Sequence, residues 1–302
     1  MRCRYPLFLK ANEGLPVPCG RCMPCRIKRR RLWTSRLLLE ALSHSDVSFV
    51  TLTYADNPIT LWPRDVQLWI KRLRKRYIKK LRYYLVGEYG SISDRPHYHA
   101  ILFGFSSCLY GRPIVSSKSN CPCLPCSELQ SSWPHGFTYN GTFSRESAQY
   151  VSGYVIKRMT SKKDLRLQGR HPEFSRMSRC PGIGALAMQH VAKSISKAGL
   201  DHCLVDGDIP THIKMDGKSV LFGPYLRDKL RHHLDLPPGT PQANVDKYRI
   251  ECLDAIVNAA LPSPTFYQGF YDRRSEIFSS RYKGVCDNIE ARYKIFNSGG
   301  SL

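Results

Sequence analysis

The sequence predicts an α+β domain whose central sheet is largely antiparallel and flanked by helices. Three observations predict it. Strand-like and helical stretches alternate between residues 26 and 160. Two of the strand-like stretches are separated by a short turn-rich segment, as in a hairpin. The clearest helix shows apolar residues at three- and four-residue steps. A Cys-rich N-terminal segment precedes this domain and a C-terminal extension follows it.

Residues 26–42 read as a helix, with Ile27, Leu38 and Leu42 apolar and with Arg26 and Lys28 to Arg31 basic. Residues 48–54, SFVTLTY, are β-branched and aromatic and read as a strand, which Asp56, Asn57 and Pro58 break. Over 64–81, Val66, Trp69, Ile70, Leu73, Tyr77 and Leu81 recur with helical spacing. The opposite face of that helix carries Lys71, Arg72, Lys75, Arg76 and Lys79, which suits a phosphate backbone or plain solvent equally. Residues 82–88 and 96–104 read as two strands, and Gly90, Ser91, Ser93 and Asp94 between them make a hairpin. A Cys-, Ser- and Pro-rich insertion covers about 105–135. A strand is expected at 137–143 and a helix at 145–160, with Ala148, Tyr150, Val151, Tyr154 and Val155 along it. Pro237, Pro238 and Pro241 mark an irregular segment before a helix over 242–260. The expected organisation is therefore a Cys-rich basic segment over 1–30, the α+β domain over 31–195, and a C-terminal region of unassigned role over 196–302.

Charge narrows the function. Lysine and arginine number 46 against 24 acids, a net charge of +22. Such an excess repels itself and is used where the partner is a polyanion, most often nucleic acid. There is no run of about 18 apolar residues to span a membrane. The opening MRCRYPLFLKANEG is a poor signal peptide. The expected setting is therefore cytosolic, where twelve cysteines read as metal ligands or free thiols and not as disulfides.

Two constellations carry chemistry. In His97-Tyr98-His99 the two imidazoles share one face of a strand, as divalent-metal ligands must. Glu88 ends the preceding strand and in a hairpin lies across from His97, so the three make a metal site with positions left open. In Tyr150-x-x-x-Tyr154-x-x-Lys157 a helix brings both phenols and the ammonium to one face. A phenol is a weak nucleophile near its ordinary pKa of about 10, and a metal and a nearby lysine both ease its attack. Each pattern alone also fits a structural role: incidental strand histidines, or an aromatic stripe in a core.

Taken together, the stretches FVTLTYADN (49–57), GEYG (87–90), RPHYHAILFG (95–104), YVSGYVIKRM (150–159) and SRCPGIG (178–184), with CGRCMPC before a basic helix, resemble the HUH endonuclease superfamily. The closer resemblance is to the rolling-circle replication initiators of microviruses, the gokushovirus type in particular. It covers roughly residues 15–190. Tyr98 stands as the hydrophobic middle residue of the histidine pair. The resemblance implies an HUH-like fold, a bound Mg2+ or Mn2+ on His97, His99 and Glu88, and attack on single-stranded DNA by Tyr154. Tyr150 would serve as a second nucleophile and Lys157 would assist. It implies a phosphotyrosine link to the DNA 5′ end, a free 3′ hydroxyl, strand rejoining, origin DNA and host replication proteins as partners, and the cytoplasm of a bacterial host as the setting.

The cysteines pose a separate question. Cys3, Cys19, Cys22 and Cys25 can supply four thiolates to structural Zn2+, and so can Cys108, Cys121, Cys123 and Cys126. Free thiols and an iron–sulfur cluster are the alternatives. Two other functional readings stand beside the initiator. One is an HUH transposase or relaxase. The other is a non-catalytic, zinc-stabilised nucleic-acid-binding protein, which leaves the histidine pair and the tyrosine helix without a role.

Overall fold

A computed structural model describes residues 3–9, 15–77, 80–90, 93–111, 121–157, 165–200, 204, 208–260 and 282–294. The chain divides into two compact units. One comprises Met1–Arg29, His202–Asp208 and Pro237–Leu302; the other comprises Arg30–Asp201 and Ile209–Leu236.

The smaller unit holds the short antiparallel pair β1 (Leu7–Phe8) and β2 (Pro16–Val17) and the first turns of α1 (Met23–Ala41). It also holds α7 (Gln242–Ala260), as the sequence predicts, and a helix over 282–294. Cys252 is buried there beside Phe8, Leu15, Tyr248 and Tyr282.

The larger unit is built on five antiparallel strands: β3 (Val47–Tyr54), β4 (Arg82–Tyr89), β5 (Pro96–Phe103), β6 (Gly136–Thr142) and β7 (Phe174–Met177), in the order β6-β3-β5-β4-β7. In β3 every second residue is buried. Val50, Leu52 and Tyr54 face one side, where they meet Tyr98, Ala100 and Leu102 of β5. Helix α2 (Pro63–Arg76) lays Val66, Trp69, Ile70 and Leu73 onto this face. Pro in its first turn and three basic residues in its last suit the free N–H groups and the dipole. The opposite face is covered by α1 beyond Arg30 and by α4 (Arg145–Lys157). Trp33 packs its ring 5.1 Å from that of Tyr84, and Thr34 and Ser152 share a hydrogen bond of 2.7 Å.

That second layer is fixed by a buried ion pair. The Glu40 carboxylate accepts from the Arg82 guanidinium and, at 2.6 Å, from the Gly184 N–H. Arg82 also donates to the Pro181 carbonyl at 2.7 Å. Both side chains are almost wholly removed from solvent.

The structure departs from the sequence reading in three places. Helix α2 stops at Arg76 and not at 81. Tyr77 is already extended, and it and Leu81 keep the apolar rhythm because they pack on Phe105 and in the core while the chain turns back into β4. The stretch 105–135 is more than an insertion, since it contains α3 (Leu124–Ser132), which leads Leu129 and Trp133 into the core. Beyond α4 the larger unit adds β7, α5 (Ala185–Lys197), the hairpin β8 (His212–Met215) and β9 (Lys218–Leu221), and α6 (Pro224–His233). α5 buries mainly alanines, which give little hydrophobic contrast, and β7 is a four-residue edge strand. The predicted end of the α4 helix at 158–160 lies outside the described residues.

Candidate active site

The hairpin of β4 and β5 places Glu88 directly opposite His97 in the ladder, and Val86 opposite His99. Directly opposed residues of an antiparallel pair project to the same face, so Glu88, His97 and His99 all rise from the face of the sheet that α4 covers. Glu88 Oε1 lies 2.7 Å from His97 Nε2 and 3.0 Å from His99 Nε2. Gly87 makes this geometry compatible with the core behind it. A Cβ there would meet Tyr98 and Phe174 side-chain atoms at 2.9–3.0 Å. Tyr98 itself is fully buried on the other face, its hydroxyl 2.9 Å from that of Tyr54 and 2.9 Å from the Trp62 N–H. The middle residue of the histidine pair thus anchors the strand from behind.

Each imidazole is oriented through its other nitrogen. His97 Nδ1–H donates to the Arg95 carbonyl at 3.0 Å. A carbonyl only accepts, so the tautomer is fixed and Nε2 points at Glu88. His99 Nδ1 lies 2.9 Å from Thr51 Oγ1, and Thr51 stands opposite His99 in the β3–β5 ladder. The ring of Phe49 stacks on His99, 5.7 Å away and 11° from parallel.

Electrostatics follow from these contacts. Burial pushes the Glu88 carboxyl up, but the two imidazoles on it prevail and hold it below the usual carboxylate range. Burial lowers His97, yet its bonds to Glu88 and to the Arg95 carbonyl raise it overall. A proton on His97 Nε2 then sits between nitrogen and carboxylate, where a cation coordinated by both would replace it. His99, more deeply buried, is held below its ordinary value. Two nitrogens and a carboxylate oxygen within 4.8 Å of one another fit a divalent ion with open positions.

Helix α4 brings the tyrosines to this cluster. The Tyr150 hydroxyl is 3.4 Å from His99 Nε2. The Tyr154 ring stacks on the same imidazole at 5.6 Å and 9°, and the two phenol rings meet edge to face at 5.1 Å. Burial raises the pKa of both phenols, and the Glu88 charge adds to this. Lys157 is the last residue of α4, one turn beyond Tyr154. Gly153 leaves room for Arg30, whose Nε donates to the Gln149 carbonyl at 3.2 Å.

The sequence reading missed Thr51, Arg95 and Phe49. The alternation in FVTLTY puts Phe49, Thr51 and Thr53 on one face, but only the register shows that this is the histidine face. The same register puts Phe137 and Tyr139 of the edge strand β6 opposite Thr53 and Thr51. Phe137 is 39% exposed.

The eight cysteines form two separate sets. In each, the four Sγ atoms lie within 4.8 Å of one another. Cys3, Cys19, Cys22 and Cys25 are in the smaller unit; Cys108, Cys121, Cys123 and Cys126 are in the larger.

A carboxylate and two imidazoles on a sheet, faced by a pair of tyrosines from one helix, define a metal-binding site with two resident phenol nucleophiles. Comparison with known proteins gives this arrangement a context. The family of replication-associated proteins of the ORF2 type matches residues 47–159, which contain the whole cluster. Replication-associated protein VP4 of Bdellovibrio phage phiMH2K is 32% identical over 166 residues, 51% of this chain and 52% of that protein. Replication-associated protein ORF2 of Spiroplasma virus 4 is 30% identical over 194 residues, 60% and 59% of the two chains. Replication-associated protein ORF4 of Chlamydia phage 1 is 30% identical over 162 residues, 50% and 41%. The chain thus spans about half the length of the curated relatives it matches. No solved structure matches it. The resemblance to the replication initiators of microviruses holds.

Proposed function

We propose that this chain is a replication-initiation endonuclease of the HUH type, which nicks single-stranded DNA at an origin and later rejoins the ends. One observation carries the reading: Glu88, His97 and His99 converge on one point, with the Tyr150 hydroxyl 3.4 Å from His99 Nε2 and the Tyr154 ring stacked on that imidazole. A purely structural aromatic stripe has no reason to end on a three-ligand cluster.

Glu88, His97 and His99 are the residues that would hold Mg2+ or Mn2+, which when bound supplies Lewis-acid polarisation of a phosphate oxygen. The chain's own groups do the rest. The Arg95 carbonyl and Thr51 hydroxyl keep both Nε2 atoms turned to the cluster. Burial and the Glu88 charge hold both phenols protonated, so either becomes reactive once that charge is neutralised. The Tyr154 oxygen then forms a bond to phosphorus as the bond to the 3′ oxygen breaks. The phenol loses its proton and the departing 3′ oxygen gains one. One phosphodiester replaces another, so no external energy source is needed for a later hydroxyl to attack the phosphotyrosine and restore the phenol. Tyr150 is the second nucleophile, and Lys157 assists. The partners are origin DNA and host replication proteins, and the setting is the cytoplasm of a bacterial host, as the phage relatives suggest. None of the described helices is long and apolar enough to cross a membrane.

The test is incubation of the full chain with single-stranded origin DNA and Mn2+, followed by a denaturing gel. A covalent protein–DNA band that disappears in His97→Ala and His99→Ala, while filter binding of the same DNA persists, supports the reading. Binding without any band in the wild type favours the non-catalytic DNA-binding protein.

A further inference from the structure

The cysteines play no part in that chemistry, yet their arrangement is specific. A single zinc ion holds four thiolates at about 2.3 Å in a tetrahedron, which sets neighbouring sulfurs about 3.8 Å apart. The measured separations are 3.8 Å for Cys3–Cys22, 3.5 Å for Cys108–Cys121 and 3.9 Å for Cys108–Cys123. A disulfide would bring a pair to about 2.05 Å, and all eight cysteines are unbridged. Among the described residues, the buried members of each cluster are cysteines only, with no Leu, Val or Phe among them, so neither set is an apolar core that happens to contain thiols.

The surroundings are those of sulfur atoms carrying negative charge. Backbone N–H groups of Cys19, Arg4 and Cys22 point at the sulfurs of Cys3, Cys22 and Cys19 at 3.3–3.5 Å. In the second set the buried Asn140 amide lies 3.8 Å from Cys126 Sγ while also donating to the Ser106 carbonyl. Such outer contacts orient metal ligands.

We propose that each four-cysteine set binds one structural Zn2+, and that the second is a staple that seats α3 behind the histidine face of the sheet. Four sulfurs on one centre leave no open position, so these are structural and not catalytic sites. The second site ties the exit of β5 at Cys108 to the start of α3. From α3, Ser132 Oγ accepts from Trp69 Nε1 at 2.9 Å, and Trp133 Nε1 donates to the Thr53 carbonyl at 2.9 Å. Thr53 is paired with His97 across the β3–β5 ladder. The staple therefore supports, through Trp133, the strand beside the metal-ligating histidines. Each ion enters as four thiols lose their protons, so binding releases protons and is weaker in acid. This inference stands on sulfur geometry and does not depend on the nuclease reading.

The test is elemental analysis of the purified full chain. The expected content is one zinc per cysteine set, unchanged in His97→Ala/His99→Ala. Cys19→Ser/Cys22→Ser or Cys121→Ser/Cys123→Ser should each remove one ion, and only the second pair should shift the tryptophan emission. Where a variant fails to fold, zinc-dependent protection of these thiols from alkylation in the wild type, mapped by mass spectrometry, serves instead. Cobalt loading should give thiolate-to-metal charge-transfer bands. Native protein without zinc whose eight thiols all react at once overturns the proposal. So does iron in place of zinc, or zinc that vanishes with the histidine substitutions.

Discussion

The hydroxyl of Thr51 stands 2.9 Å from Nδ1 of His99, on the neighbouring strand and at the matching rung of the ladder. For His99 Nε2 to offer a lone pair to an ion, Nδ1 must carry the proton and Thr51 must accept it. Thr51 is thus a positioning residue. Thr51→Val keeps the shape and removes the acceptor. The expected outcome is metal affinity weaker by roughly 10- to 100-fold, as for other such partners, with nicking restored by excess Mn2+ and no change in melting temperature. An unchanged metal titration would show that packing alone orients His99.

Glu40 gives the clearest stability prediction. It is fully buried against Arg82 and the Gly184 N–H. Burial pushes its carboxyl up, but His44, Arg82 and that N–H prevail and lower it. A group with a depressed folded pKa adds stability above its unfolded value, about 4.3, and loses it as pH falls through the folded value. Glu40→Ala leaves Arg82 buried without its partner and should cost roughly 3–5 kcal/mol, read from urea midpoints at neutral pH. Glu40→Gln should also flatten the fall in stability below about pH 4. Equal acid slopes for wild type and variant would remove Glu40 from this role.

How much of this was legible beforehand depended on range in the chain. The hairpin was readable, because Gly90, Ser93 and Asp94 sit between two β-rich stretches, and so was the placing of Glu88 near His97. The α4 stripe was readable from its spacing. The pairing of β3 with β5 joins residues about 48 apart in sequence, and no local pattern encodes it. Thr51 and Phe49 were invisible for that reason. Helix α3 was hidden by its Cys, Pro and Ser content, and its buried Leu129 and Trp133 are too few to show a period.

Phe137 and Tyr139 extend the histidine face onto the edge strand β6. The Tyr139 ring occupies the space a Cβ at Gly141 would need, which keeps it low over the strand. Two residues apart on a strand is about 6.8 Å, so the pair offers two adjacent stacking surfaces beside the cluster. Stacking of a base on an aromatic contributes about 1–3 kcal/mol. Phe137→Ala and Tyr139→Ala should each weaken single-strand binding by roughly 5- to 150-fold. Neither change should alter the salt slope, which the basic side chains set. A fluorescence anisotropy series from about 50 to 200 mM salt checks both, and unchanged affinity would place the DNA elsewhere.

The last prediction concerns the order of the two tyrosines. Proximity alone does not rank them. The Tyr150 hydroxyl is bonded to His99 Nε2, but an ion on that nitrogen would take the lone pair and free the phenol. Tyr154 lies one helical turn from Lys157, whereas Tyr150 lies two turns away, and the Y-x-x-K spacing is what resembles the initiators. Tyr154→Phe should therefore reduce the first cleavage by several orders of magnitude. Tyr150→Phe should spare it and impair the second cut and the rejoining. Phenylalanine keeps both ring contacts with His99, so a loss reports on the hydroxyl and not on packing. Peptide mapping of the covalent adduct in each variant decides. If Tyr150→Phe alone stops the first cut, the order is reversed; if both variants form the adduct equally, the phenols are interchangeable and Lys157 does not discriminate between them.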